Sequence, residues 1–189
     1  MNILELIKSR RTIDPDLFTG EIVSTDIIEK MLEAANWAPT HGFTEPWRFV
    51  VYTRDTAPNF GEFHAALFKE LTPTEQFLQK KYEKIRYRSK NCSHVIICIN
   101  KRGDKSNIPE VEELAATAAA IQNLLLVATA NNVGTFWSTG GMCYHDAFKK
   151  YFGFADEDKV LGIIYVGKYE IENPTGNRNS DWKEKTIWK

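Results

Sequence analysis

The 189-residue sequence predicts an α+β layer structure, and three observations point to it. Four segments of strand length, 47–53, 93–100, 134–138 and 159–168, are rich in β-branched and aromatic residues. Two of them, Ser93–Asn100 (SHVIICIN) and Lys159–Lys168 (KVLGIIYVGK), are continuous apolar runs, the pattern of strands buried on both faces at the centre of a sheet. The helical stretches between strands are too uneven, and the strands too few, for the regular alternation of a doubly wound sheet.

Asn2 and Glu5 have capping-box spacing, and Ile3, Leu6 and Ile7 share a helical face, so a short helix is predicted to run into Arg10-Arg11-Thr12. Ser24-Thr25-Asp26 begins a second helix, carried by Ile27, Ile28, Met31, Leu32 and Ala35 and stopped by Pro39. A strand follows over Trp47–Thr53, then helical segments over 57–71 and 74–88. After the first apolar strand, Pro109 at N1 opens a long alanine- and leucine-rich helix that Asn132-Val133-Gly134 terminates. At 1.5 Å per residue that helix is about 34 Å long and is predicted to run through the core. A short strand over 134–138, a helix from His145 to Phe152 with Gly153 as its stop, the second apolar strand and a polar tail from Pro174 complete the order. No repeat or linker interrupts the chain, so residues 1–189 are expected to form one domain.

Composition removes several function classes. With 24 Lys plus Arg against 25 Asp plus Glu, the formal charge is −1, which provides no field for holding nucleic acid or an anionic membrane. The most apolar interval, Leu114–Ala130, is broken by Thr117, Gln122, Asn123 and Thr129 and reads as too short to span a bilayer. The amino-terminal charges come in the wrong order for a signal peptide, and Cys92, Cys98 and Cys143 read as free thiols, so a cytoplasmic location is expected. The cysteines and four histidines show no metal-ligand spacing, and GxSxG, HExxH, GxGxxG and GxxxxGK[ST] are all absent. No metal and no catalytic side chain is assigned. His64 has no evident partner, and His94 and His145 read as strand-end and helix-start residues.

Three places in the chain have chemical potential. Arg10-Arg11-Thr12 sets two guanidinium forks and a hydroxyl at a helix end, suited to a phosphate, although arginines in a last turn also simply complement the helix dipole. His41 lies in a proline-fixed loop, Ala38-Pro39-Thr40-His41-Gly42. Trp137-Ser138-Thr139-Gly140-Gly141 combines a ring, two hydroxyls and a flexible backbone, able to line a flat ring system or simply to end a strand.

Taken together, Arg10-Arg11-Thr12, Ala38-Pro39-Thr40-His41 before Pro46-Trp47-Arg48-Phe49, Asn123-Leu124-Leu125-Leu126, Gly134 and Trp137-Ser138-Thr139-Gly140 resemble the nitroreductase family of flavin enzymes, in order and spacing over nearly the whole chain. The resemblance implies a mainly antiparallel central sheet flanked by helices, in an intertwined homodimer with its flavin sites at the subunit interface. It implies that Arg10, Arg11 and Thr12, assisted by Arg178, hold the phosphate and ribityl chain of FMN. By the same resemblance Pro39, Thr40 and His41 reach the flavin of the other subunit, and Trp137, Ser138, Thr139 and Gly140 line the isoalloxazine. The implied reaction takes hydride from NADH or NADPH and passes it through flavin N5 to a small electron-poor acceptor, a nitroaromatic, quinone or similar conjugated compound. A flavin store or sensor with little turnover is the alternative, and a cofactor-free scaffold would require the shared blocks to be coincidence.

The chain departs from the family pattern at Asp14, where a basic residue is common, and at Phe43 and Glu45, where Asn and Gln are common. Arg48 is a candidate for the missing positive charge, or else a strand arginine with a solvated head. Lys80–Lys90 (KKYEKIRYRSK) reads either as a solvated face or as an attractor for the phosphates of NAD(P)H.

Overall fold

The computed structural model describes residues 2–171, 174 and 176–189. Helices α1 (Ile3–Ser9) and α2 (Thr25–Asn36) precede strand β1 (Trp47–Tyr52). Helices α3 (Ala57–Leu71) and α4 (Gln79–Tyr87) lead to β2 (His94–Asn100), and α5 (Glu110–Ala130), β3 (Gly134–Ser138), α6 (Asp146–Tyr151) and β4 (Lys159–Gly167) follow. The sheet order is β1-β2-β4-β3, and each neighbouring pair is antiparallel, so the α+β expectation holds.

The two apolar runs take the two central places because each side of the sheet needs a cover. Ile96 and Cys98 of β2, with Ile164 and Val166 of β4, face a core closed by Met31 of α2 and by Ile121 and Leu124 of α5. The alternate residues Val95, Ile97, Ile99, Ile163 and Tyr165 face the other side, where Phe60 of α3 and Phe148 of α6 pack. Side chains alternate along a strand, so an apolar run without alternation feeds both cores at once. The register shifts between Cys98 and Ile99, opposite Gly162, whose added Cβ would lie 2.1 Å from the Trp137 indole nitrogen. That close approach lets Trp137 lie across β4 and donate from Nε1 to the Leu161 carbonyl at 2.9 Å.

Several local expectations are corrected. The single helix expected over 74–88 is a 3-10 turn, Thr74–Gln76, followed by α4, because Phe77 and Leu78 are extended. Pro109 is extended at the N-cap of α5 rather than at N1. The polar tail contains a 3-10 turn, Trp182–Lys185, closed by a capping box between Asp181 and Glu184. Helix α5 has the length expected from sequence; its 21 residues, with an 18-residue window of mean hydropathy 1.4, are long and apolar enough to cross a membrane by length and composition alone. Its apolarity has another cause here: α5 fills the space between α2 and the sheet, burying Ala120, Ile121, Leu124, Leu125 and Ala128.

Candidate functional site

The candidate site begins where α1 stops. The α1 capping box forms, with the Asn2 side chain accepting from the Glu5 amide at 2.9 Å and Glu5 accepting from the Asn2 amide at 3.0 Å. The helix ends at Ser9, where Arg10 turns to extended ψ and its amide donates to the Leu6 carbonyl at 3.2 Å, and so delivers Arg10 and Arg11 to its C-terminal edge. Thr12 then bridges to Thr135 of β3, and the Ile13 amide donates to the Thr135 carbonyl at 3.0 Å. This pairing of distant segments sets Arg10 and Thr12 beside Trp137 and Thr139. The four residues, with Gln122, Leu125 and Thr135, line a cleft of about 370 Å³. Gln122 and Thr135 were not singled out from sequence, and Leu125 entered only within the block Asn123-Leu124-Leu125-Leu126 without a site role; Gln122 interrupts an apolar helix, which is the signal that could have found it.

Arg10 lines this cleft, and Arg11 and Arg178 are its close positive neighbours. Burial, followed by the neighbouring charges of Arg11 and Arg178, holds the Arg10 guanidinium below its usual pKa, and no carboxylate pairs with any of the three among the described residues. Arg11 donates from Nη1 to the Lys8 carbonyl at 2.6 Å and to the Arg10 carbonyl at 2.8 Å, while its buried Nε has no partner among the described residues. Arg178 donates to the Asn177 carbonyl at 2.9 Å. Like charges gathered with an orphaned donor raise the free energy of the empty arrangement and favour an anion.

Pro39, Thr40 and His41 lie elsewhere on the chain. They line a hollow of about 330 Å³ with Glu112, Ala115, Ala116 and Ala119, toward the N-terminal end of α5. His41 Nδ1 lies 2.5 Å from Glu112 Oε2, and Thr40 Oγ1 lies 2.9 Å from Thr44 Oγ1. Glu112 precedes Gln122 by ten residues, about 15 Å along the helix, so this loop and the arginine cleft are two separate places on one chain. Ser138 and Gly140 border a third, smaller cavity, while Ser138 Oγ accepts from the Gly140 amide at 3.3 Å. Asp14 is a local cap, accepting from the Asp16 amide at 3.1 Å, and Arg48 donates to the Glu45 and Trp47 carbonyls at 2.8 and 2.7 Å. Phe43 and Glu45 both adopt positive φ, 56° and 43°.

His94 bonds Ser93, and His145 caps α6 by accepting from the Ala147 amide at 3.1 Å, both as expected. The partner missed for His64 is the Met142 amide, which donates to Nε2 at 3.2 Å. Burial, then the nearby Arg88 charge, lowers the His64 pKa to about 4. Below an unfolded-state pKa of about 6.5, the unfolded chain binds a proton that the native state refuses, so stability falls as pH drops toward 4. Relative to a His64→Gln variant, urea unfolding of the natural chain should lose about 2 kcal/mol more between pH 7.5 and pH 5. Equal pH dependence in the two proteins would mean that His64 titrates normally. The three thiols are buried, and burial raises the pKa of Cys92 and Cys143 to about 12 and that of Cys98 further, which leaves them poor nucleophiles.

The comparisons with known proteins agree with this architecture. "Putative NAD(P)H nitroreductase YfhC" of Bacillus subtilis (strain 168) is 30% identical over 171 residues, covering 90% of this chain and 85% of its own. The crystal structure of a nitroreductase-like family protein from Bacillus cereus superposes with a TM-score of 0.82 at 26% identity, covering 100% of this chain and 96% of its own. A nitroreductase with bound FMN from Bacteroides fragilis NCTC 9343 shares the fold at a TM-score of 0.75 and 20% identity, with full coverage of both chains. The family match itself runs over residues 7–168, from the last turns of α1 to the end of β4, and the chain belongs to the nitroreductase family.

Proposed function

We propose that this chain is an FMN-dependent oxidoreductase that takes hydride from NADH or NADPH and delivers it to a small electron-poor acceptor such as a nitroaromatic or a quinone. The observation that carries the reading is Arg10 in the lining of a cleft with Thr12, Trp137 and Thr139, with Arg11 and Arg178 as close positive neighbours and no carboxylate paired with any of the three among the described residues. The donor set fits FMN: guanidinium forks for its phosphate, Thr12 for the ribityl hydroxyls, and Trp137, Ser138, Thr139 and Gly140 for the ring. When bound, FMN supplies the two-electron chemistry at N5. The chain's own task is then to hold the phosphate, orient the ring and keep water from it, which explains why no acid–base pair is needed.

The reading extends to a homodimer in which Pro39, Thr40 and His41 of one subunit approach the flavin of the other. It is favoured by the separation of this loop from the arginine cleft within one chain, and by large apolar side chains left in water. Trp37 is 81% exposed, Phe43 88% and Trp188 84%, large apolar side chains that a second copy would shield. The residue-by-residue site assignment, like the reading of residues 1–189 as one domain, is part of this proposal.

The test is the visible absorption spectrum of the purified protein, followed anaerobically as NADH and then NADPH are added, with sedimentation equilibrium on the same sample. Flavin bands that bleach with a donor and return with a quinone or nitroaromatic support the oxidoreductase. Bands that neither donor bleaches assign the protein to flavin storage or sensing, and a colourless protein that cannot be reconstituted with FMN refutes the reading. A monomer that retains its full complement of FMN refutes the two-subunit site.

A further inference from the structure

The basic segment that sequence left unassigned does more than face solvent. Lys81 and Lys84 of α4 and Arg88 just beyond it line a cavity of about 160 Å³, together with His64 of α3 and with Ser138, Gly140 and Gly141 from the loop after β3. Sites for whole drug-sized molecules run to about 300–1,000 Å³, so this cavity is sized for one small group.

Its chemistry is one-sided. Arg88 is half-buried, with its guanidinium carbon 4.7 Å from the Phe136 ring centre and 5.9 Å from that of Tyr165, and Lys81 Nζ lies 5.0 Å from the Phe68 ring centre. No carboxylate pairs with Lys81, Lys84 or Arg88 among the described residues. The fourth polar group is His64, 2% exposed. Because its Nε2 accepts from the Met142 amide, the neutral ring carries its proton on Nδ1, and that buried nitrogen has no partner. A buried N–H without an acceptor is a standing cost that a ligand oxygen would relieve. The wall is built closely: Gly141 sits at φ +67°, and a Cβ there would lie 2.3 Å from His64 Nε2, so the loop can close on the imidazole only with glycine at this position.

We propose that His64, Lys81, Lys84 and Arg88 form an oxyanion subsite that receives a carboxylate or phosphate carried by the substrate. The inference rests on the flavin reading for its place in the reaction, because the cavity shares Ser138 and Gly140 with the segment assigned to the isoalloxazine, so a substrate anchored here is held beside the ring. Three cations and a neutral imidazole in the lining of a small cavity favour a single charged group over a neutral analogue of the same shape, which makes the subsite a specificity element.

The decisive experiment compares the natural chain with Lys81→Gln/Lys84→Gln. Both substitutions lie on an exposed helix face. Calorimetric titration with benzoate reads the subsite whether or not flavin is bound, and titration with inorganic phosphate reads it once FMN fills the arginine cleft. Saturable binding that the double variant weakens at least ten-fold, and that added salt also weakens, is the expected result. In the flavin-loaded protein, the ratio of kcat/KM for 4-nitrobenzoate to that for 4-nitrobenzyl alcohol should fall at least ten-fold in the variant if the acceptor carries the oxyanion. If the NADPH to NADH ratio falls instead, the oxyanion is the donor's phosphate. Absence of saturable binding of either anion, or binding equal in the two proteins, overturns the subsite. A protein that binds benzoate but no flavin overturns the oxidoreductase reading and leaves the subsite standing.

Discussion

Replacing Arg10 and Arg11 together by alanine is expected to weaken FMN binding by about 3–6 kcal/mol, since charge-assisted hydrogen bonds are worth about 1.5–3 kcal/mol each. That is a loss of roughly 10²- to 10⁴-fold in affinity. The two arginines do not contribute alike. Arg10 sits in the cleft lining, where burial and two like charges already hold its pKa down, so an incoming phosphate relieves repulsion as well as forming bonds. Arg11 spends Nη1 on the Lys8 and Arg10 carbonyls and keeps a buried Nε without a partner among the described residues. Its removal also uncaps the end of α1, so the effect on FMN must be separated from an effect on folding. Riboflavin makes that separation, because it offers the same ring and ribityl chain without the phosphate. Fluorescence titrations of the flavin-free protein should show the variant losing FMN affinity while its affinity for riboflavin changes little. Equal losses for both ligands would place the arginines in the scaffold rather than on the phosphate. Arg178→Ala, at an exposed side chain bonded to its neighbour's carbonyl, should give a smaller loss in the same direction.

How much of this was legible in the sequence follows from which interactions are local. Capping at Asn2, the apolar periodicity of α2 and the two continuous runs of β2 and β4 depend on neighbours a few residues apart, and the sequence reading located them to within a residue or two. The break between the 3-10 turn and α4 was missed because Phe77 and Leu78 suit a helix by propensity but are drawn into extended backbone, with Phe77 placed against Phe68 and Tyr82. Nonlocal pairings were invisible for the same reason. Nothing near Thr12 indicates that it will bridge to Thr135, nor does anything near Arg178 place it beside Arg10. The resemblance to a known family supplied the second of these, by placing Arg178 with Arg10 on one phosphate, and the bridge from Thr12 to Thr135 came from the structure. His64 shows the opposite limit, since its role is decided by a backbone amide 78 residues away and by a glycine that permits the approach.

Glu113→Ala is expected to destabilise the protein by about 3 kcal/mol, because it leaves the half-buried Arg102 guanidinium without its carboxylate and the Gly103 amide without its acceptor. Glu113 is 1% exposed, in the first turn of α5, and accepts from the Arg102 guanidinium and from the Gly103 amide at 3.1 Å. Arg102 in turn donates from Nη2 to the Ile108 carbonyl at 2.6 Å and from its amide to Asp158 at 2.8 Å. One carboxylate therefore fastens the 101–108 loop to the start of α5, where it also faces the positive end of the helix dipole. Glu113→Gln keeps an acceptor for Gly103 and should lose less. Glu113→Leu combined with Arg102→Met removes both charges together, and its stability should lie well above that of Glu113→Ala, since desolvating an ion pair costs nearly what the pair returns. Urea midpoints order the three variants, and a loss below about 1 kcal/mol for Glu113→Ala would mean that water reaches the pair. The consequence extends to the candidate site. Lys105 of the same loop donates to the Gly42 carbonyl, and Ile108 packs so tightly on Gly42 that a Cβ there would lie 2.8 Å from Cδ1. Loosening the loop removes the support beneath Pro39, Thr40 and His41. If that segment completes the flavin site of a second subunit, the surviving folded fraction of Glu113→Gln should dimerise more weakly and hold FMN less well at low protein concentration, while its FMN affinity at saturating dimer remains close to that of the natural chain.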